Sequence, residues 1–466
     1  MTVCISAVGV AAPTLRLSTR DVNAAWGKGG GRGQSAVCAS DEDTLTLAWA
    51  ACDRALDAAG LAPDDIDGLW WGTTRPPFAE GPSWTHLAAV LRLGPSTDGA
   101  LSSGSTHAGI EALLAAADAV AAGRVQRALV VTSESLLPGT GTGVETATGA
   151  GAAAVLLTND GPAALGARVT HSVPVLDRYR GDREPTTREA YDGRLFREEV
   201  YLPLLTDVGR AAGAAEHARW SLPDPDGRLG PTLGRKLAVG ALSSAESRAE
   251  LGDTGAASPL IGIAATLATA GPAVVMAYGG GRGTAVNIDV QAPVPGADRV
   301  ADDLGNGRPA TYAEVLRARG QLTAAGESVE MAVPPGSAMF VRGNVEVLGL
   351  MGARCVECGT VNTPPSIHPA CIQCGSDKFD IVPLARTGTV QTFVINHTMP
   401  APFEAPLPLV VVDLDDGSRI QLQGATNGEN LVIGGPVELI LRRYTVERGV
   451  PIYGWKVREI IEGSAS

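Results

Sequence analysis

Four cysteines in the last third of the chain leave little freedom in how that region folds. Cys355-x2-Cys358 and Cys371-x2-Cys374 are two dithiol knuckles with twelve residues between them. The two-residue spacer lets each pair share one ion at ~2.3 Å, and two such pairs complete a tetrahedron around Zn2+. Four thiolates close the coordination sphere, so the ion folds a small ribbon and has no open position for activating water. A redox dithiol would stand as a single pair beside a βαβ unit, and neither pair does. His368 lies between the knuckles and is either a substitute ligand or an ordinary loop residue.

With seven cysteines in total, an odd number, metal ligation in a reducing compartment suits the pattern better than a disulfide framework. Cys4, Cys38 and Cys52 remain as singletons with structural or incidental roles. A formal net charge of -13, with no basic run, argues against a nucleic-acid partner, because phosphate binding needs a surplus of Lys and Arg. No segment reaches ~18 uninterrupted apolar residues, and the opening MTVCISAVGVAAP lacks a charged region before its apolar stretch. These features predict a cytoplasmic protein with no membrane span. At 466 residues the chain exceeds what one hydrophobic core usually supports, so two or three domains are expected.

Residues 3–10 read as a buried strand and 43–60 as a helix that starts at Asp43 or Thr44 and is closed by Gly60. The strand GLWWGTT follows. Within 106–122, Ile110, Leu113, Leu114 and Ala117 fall at i, i+3, i+4 and i+7, one apolar helical face that stops at Gly123, and a strand at Ala128–Thr132 comes next. A second, looser round runs from about 197 to 292: helices near 200–212 and 258–269, strands near 218–222, 272–278 and 284–290. Strand and helix alternating in two rounds predicts an internally duplicated, layered α/β domain with mixed sheets over residues 1–292, its repeats at about 1–165 and 166–292. Residues 293–308, with APVPG and DDLGNG, read as a linker, and Tyr312–Gly320 as a short helix. The linker and helical arm together take 293–344, a zinc ribbon 345–385, and short β-rich runs with turn signals over 386–466 predict a small barrel.

Residues 345–462, a ribbon and then a barrel with a helix before them, resemble the zinc-ribbon plus OB-fold proteins that accompany thiolase-like enzymes of acyl-CoA metabolism. The first 292 residues resemble hydroxymethylglutaryl-CoA synthase and ketoacyl synthase III of the thiolase superfamily. Three stretches carry this second likeness: Gly72-Thr73-Thr74; Thr106-His107-Ala108-Gly109, similar to the synthases' Cys-x-Ala-Gly; and Tyr278-Gly279-Gly280-Gly281. The resemblance implies a thiolase-like fold ending in an OB-type barrel, acyl-CoA or acyl carrier protein as the substrate's carrier, and a homodimer.

It also locates the catalytic positions, and the substitutions there are informative. Thr106 stands where the family has the acyl-accepting cysteine at a helix start, a place whose dipole favours a thiolate. Ser221, in Ser221-Leu222-Pro223, takes the histidine's place, Asp253 the asparagine's, and Thr74 the synthase's acid. Gly279, Gly280 and Gly281 match the loop that gives one N–H of the oxyanion hole, or else only form a tight turn. Such a hole can stabilise an enolate without acyl transfer to the protein. Aldol, retro-aldol or decarboxylation chemistry on a thioester is therefore the leading expectation, with Asp253 as base and His107 and Tyr278 as further acid/base candidates. His107 reads equally as a partly exposed helix-start residue, and Tyr278 as a core residue. The alternatives are an acyltransferase or condensing enzyme using Thr106 or direct transfer, and a non-catalytic scaffold whose OB module binds the acyl-CoA. Gly27–Gly33 lacks the Gly-Lys-Ser/Thr ending of a phosphate loop and reads as a flexible loop.

Overall fold

The computed structural model describes residues 2–189, 193–215, 217–239, 244–323, 343–399, 403–447 and 449–460. They form two compact units: Met1–Trp84 with Leu93–Leu322, and Thr323–Ser466 with the short stretch Thr85–Arg92. Among the described residues, no helix is long and apolar enough to cross a membrane.

The first unit is built on one nine-stranded mixed sheet. From one edge its order is Asp98–Ser102, Gly68–Gly72, Ala128–Ser135, Ala150–Thr158, Cys4–Ala11, Ala163–Ser172, Arg282–Val290, Gly271–Gly279 and Arg219–Ser221. Pairing directions disclose a duplication. Gly68–Gly72 runs parallel to Ala128–Ser135, which is antiparallel to Ala150–Thr158, itself antiparallel to Cys4–Ala11. In the second copy Arg219–Ser221 is parallel to Gly271–Gly279, then come antiparallel Arg282–Val290 and antiparallel Ala163–Ser172. The copies join where Cys4–Ala11 meets Ala163–Ser172 antiparallel.

Local chemistry explains the helices that cover this sheet. Asp43 caps the helix Thr44–Ala59 by accepting from the Leu45 and Thr46 amides, Thr46 returns the bond, and Gly60 ends it in the left-handed conformation. Close packing on the sheet follows from a missing side chain: a Cβ on Gly9 would come within 2.4 Å of the Ala51 carbonyl. The helix Ala108–Ala121 buries Ile110 and Leu113 completely, and the same core holds Leu260 and Ile263 of the helix Ser258–Ala264.

Two expectations change. The stretch 293–308 is no bare linker: Ala297–Arg299 and Val300–Gly305 are helical, Arg308–Ala310 pairs with Leu15–Ser18, and Val294, Ala297, Val300 and Leu304 lie in the main core. The rest of the expected arm, from 324 to 342, falls outside the described residues. The helix expected over 258–269 ends at Ala264.

In the second unit three strands, Met351–Cys355, Val361–Asn362 and Phe379–Pro383, form the ribbon. Five more follow: Thr387–Asn396, Leu407–Leu414, Arg419–Gln423, Pro436–Glu447 and Val450–Glu459. A bridge from Gly424 to Val457 brings the two edges of that sheet together, as a small barrel requires.

Candidate active site and metal centre

The duplication crosses strand ends with helix starts. Gly271–Gly279 ends against the start of Ala108–Ala121, where the Thr106 hydroxyl donates to the Tyr278 carbonyl at 2.8 Å. A Cβ on Gly279 would lie 2.3 Å from the Thr106 hydroxyl and 2.5 Å from the His107 nitrogen, so only glycine allows this approach. The other half mirrors it. Ala128–Ser135 carries Glu134, whose carboxylate accepts from the Ala256 amide at 3.3 Å, just before the helix Ser258–Ala264. Glu134 also accepts from the Thr74 hydroxyl at 2.7 Å and the Ser135 amide at 3.1 Å.

Between these junctions lies a cavity of about 110 Å³ whose wall includes Thr106, Asp253 and Tyr278. Asp253 is already committed: one oxygen takes the Arg178 guanidinium at 2.8 Å, the other the Gly255 amide at 3.1 Å. Arg178 also reaches Glu189 at 3.3 Å. Burial opposes the charge on Arg178, but Asp253 and Glu189 outweigh it and hold the guanidinium firmly protonated. Burial, with Tyr201 and Asp177 close by, pushes Tyr278 far above the ordinary phenol range, so it stays a proton donor. Its buried hydroxyl nevertheless has no well-formed hydrogen bond among the described residues. The Tyr201 ring lies tilted against that of Tyr278, centroids 4.2 Å apart, and its hydroxyl is pushed by burial up to about 12.

Other predicted site residues are placed differently. The Gly280 amide donates to Asp177 at 2.9 Å, so a side-chain carboxylate holds the N–H expected to donate to a substrate oxygen. Gly281 sits where a Cβ would meet the Val173 carbonyl at 2.1 Å. His107 is fully buried, not half-exposed, with its two ring nitrogens on Glu111 at 3.0 Å and Thr284 at 2.8 Å, and it is not on the cavity wall. Ser221 is also off that wall: its hydroxyl packs against the helix Ser258–Ala264, so close that a Cβ on Gly262 would fall 1.9 Å away. Thr74 serves Glu134 rather than the cavity. The strand at Ser221 is only Arg219–Ser221, shorter than the run expected near 218–222.

The residues that sequence reasoning missed are Glu134, Asp177 and Arg178. Only Glu134 left a trace, in the polar Thr132-Ser133-Glu134-Ser135 that ends an apolar strand. Burial raises the Glu134 carboxyl above its ordinary value of 4.5, against the opposing pull of its hydrogen bonds. A carboxyl raised in the folded state contributes stability below its unfolded value, and that stability drains away as pH rises through the folded one. Urea midpoints should therefore carry a component that falls with pH above about 4.5, and Glu134→Gln should remove it. An unchanged slope in that variant would refute the assignment.

In the ribbon, the four sulfurs of Cys355, Cys358, Cys371 and Cys374 all lie within 4.8 Å of one another. Cys355 and Cys374 are 3.5 Å apart and Cys358 and Cys371 3.6 Å, close to the ~3.8 Å edge of a tetrahedron with ~2.3 Å metal–sulfur bonds. The cluster fits a metal ion. Backbone amides, first that of Cys374, lower the Cys371 thiol to about 6, while Cys374, despite the Ser376 amide, is pushed up to about 12 by the Cys358 and Cys355 sulfurs. His368 instead points a ring nitrogen at the Thr363 carbonyl, 3.2 Å away.

Residues 381–442 match the family model described as ChsH2, C-terminal OB-fold domain. The DUF35 domain-containing scaffold protein of Methanocaldococcus jannaschii is 35% identical over 117 residues, 24% of this chain and 82% of that protein. The chain belongs to the DUF35 family through this module. The body before it is similar to hydroxymethylglutaryl-CoA synthases: that of Methanosphaera stadtmanae is 25% identical over 302 residues, 59% of this chain and 85% of the relative. The solved structure of MvaS in complex with 3-hydroxy-3-methylglutaryl coenzyme A superposes with a TM-score of 0.62 at 21% identity, covering 72% of this chain and 94% of MvaS. A thiolase-like body fused to a DUF35 module is thus the architecture. In that body Cys4, Cys38 and Cys52 are buried, and none of them is on the cavity wall.

Proposed function

We propose that this chain makes or breaks a C–C bond next to the carbonyl of an acyl thioester, carried by coenzyme A or acyl carrier protein, without forming an acyl-cysteine. One observation carries the reading: the helix start on the cavity wall presents Thr106, whose hydroxyl is turned onto the Tyr278 carbonyl, in a body similar to thioester-handling synthases. A hydroxyl needs an adjacent base to become a nucleophile, and the His107 ring beside it is tied to Glu111 and Thr284. What remains suits enolate chemistry. Amides at the helix start and in the Gly279–Gly281 turn favour negative charge on the carbonyl oxygen, Asp177 giving way at Gly280, and such preorganised dipoles contribute several kcal/mol. Tyr278 donates a hydrogen bond to the forming oxyanion, and Asp253 accepts a proton on the oxygen that Arg178 does not hold.

In the cleaving direction Asp253 takes the β-hydroxyl proton and the Cα–Cβ bond breaks. Its electron pair passes to the thioester carbonyl as the enolate, an aldehyde or ketone leaves, and Cα is reprotonated. Condensation is the reverse. The DUF35 module holds structural zinc on Cys355, Cys358, Cys371 and Cys374, a ligand set for a reducing cytoplasm. The thiolase-like body forms a homodimer.

The test is intact-mass spectrometry of the pure chain with a panel of acyl-CoAs, followed by small-molecule analysis. The expected result is no protein adduct, with an aldehyde or ketone, or a lengthened acyl-CoA, that is lost in Asp253→Asn. An acyl adduct lost in Thr106→Ala would replace this reading with acyl transfer. Complete inertness would favour the scaffold role that the DUF35 relative's name states for that protein.

A further inference from the structure

The cavity's charges and size speak to which acyl group enters. Its wall carries five carboxylates, Asp177, Glu189, Asp224, Asp226 and Asp253, against two guanidiniums, Arg178 and Arg197. Both cations are spent. Arg178 is shared by Asp253 at 2.8 Å and Glu189 at 3.3 Å, and Arg197 meets Asp226 at 2.5 Å. Arg248, which is not on this wall, approaches Asp224 at 3.5 Å, and with it counted the acids still exceed the cations by two. Burial pushes the Asp224 carboxyl up, yet a neutral Asp224 leaves the wall negative. Among the described residues, no guanidinium or ammonium on the wall is left to receive a substrate carboxylate.

The remaining wall includes Phe196, Leu229, Pro259 and Met276, an apolar surface, and the Tyr278 hydroxyl, a donor lacking a well-formed partner. At about 110 Å³ the space is smaller than the ~150 Å³ cavity that takes up a benzene ring. An additional negative charge would enter a partly desolvated site already rich in fixed negative charge, where Coulomb repulsion is screened less than in water.

We propose that this cavity accepts only short, uncharged acyl groups, and that it rejects dicarboxylic acyl thioesters, including the hydroxymethylglutaryl group bound by MvaS. The inference rests on the thioester reading given above.

Isothermal titration of the full-length, metal-loaded protein tests it with four probes: butyryl-CoA, succinyl-CoA, the monomethyl ester of succinyl-CoA, and free coenzyme A. Succinyl-CoA is expected to bind at least tenfold more weakly than butyryl-CoA at low salt, with the ratio shrinking as salt is raised. Masking the charge as the methyl ester should recover most of the loss although the ester is larger, an outcome that simple crowding does not produce. Succinyl-CoA binding as tightly as butyryl-CoA would overturn this inference alone. If no thioester bound, and coenzyme A did not either, the thioester reading would fall with it.

Discussion

Chelating the zinc proposed for the four-cysteine cluster is expected to unfold the ribbon while the thiolase-like body keeps its structure. The ribbon has three short strands, of five, two and five residues, and its buried apolar positions are few: Leu348, Leu350, Ala353 and Leu384 around Cys355 and Cys371. A module this small lacks a self-sufficient core. The apparent binding free energy of a structural Zn2+ in small finger peptides, about 10–16 kcal/mol near neutral pH, is far more than such packing supplies. Limited proteolysis read by mass spectrometry, with and without a strong chelator, should show new cuts confined to 343–385. Cys371→Ser should reproduce that pattern and lose bound zinc by elemental analysis, while Cys52→Ser, changed in a helix of the body, should retain a full equivalent. A chelated protein with an unchanged digestion pattern would remove the metal from the account of this fold.

Arg178→Ala is expected to be the most damaging single change within the body. It strips Asp253 of its ion-pair partner at a site where the two side chains are 9% and 13% exposed. Breaking a buried pair from one side costs about 3–5 kcal/mol, because the charge left behind is desolvated and unpaired. Urea denaturation should show a loss of that size, and Arg178→Ala with Asp253→Asn should recover a good part of it. A double variant no more stable than the single one would mean that the cost lies in lost packing around the guanidinium stem instead.

How far the sequence could be read depended on the reach of the interactions. The helix Thr44–Ala59 was legible at both ends, because Asp43 and Gly60 act on neighbours a few residues away. The cysteine knuckles were legible for the same reason. The cavity's electrostatics were not: Arg178 meets Asp253 across 75 residues, Asp177 meets Gly280 across 103, and Glu134 meets Ala256 across 122. No local periodicity encodes such pairings. They follow from how two duplicated halves face each other. The stretch 293–308 failed differently, since its Pro, Gly and Asp content hid a stripe of Val294, Ala297, Val300 and Leu304 that docks on the core. At Thr106 the substitution itself was visible, and what it does to the hydroxyl became clear only with the Tyr278 carbonyl in place.

The crossed junctions have a consequence in time. Thr106 is covered at Tyr278 by the end of the strand Gly271–Gly279, so a growing chain carries the small-residue helix Ala108–Ala121 for some 170 residues beyond Thr106 before that cover is complete. At ~5–20 residues per second that interval lasts roughly ten to thirty seconds. A nascent chain cut short inside it would own half a sheet and no cavity. The second half of the body therefore acts as the condition under which the first becomes a site at all, and ribosome-stalled chains ending before Tyr278 should lean on chaperones far more than those ending beyond Val290.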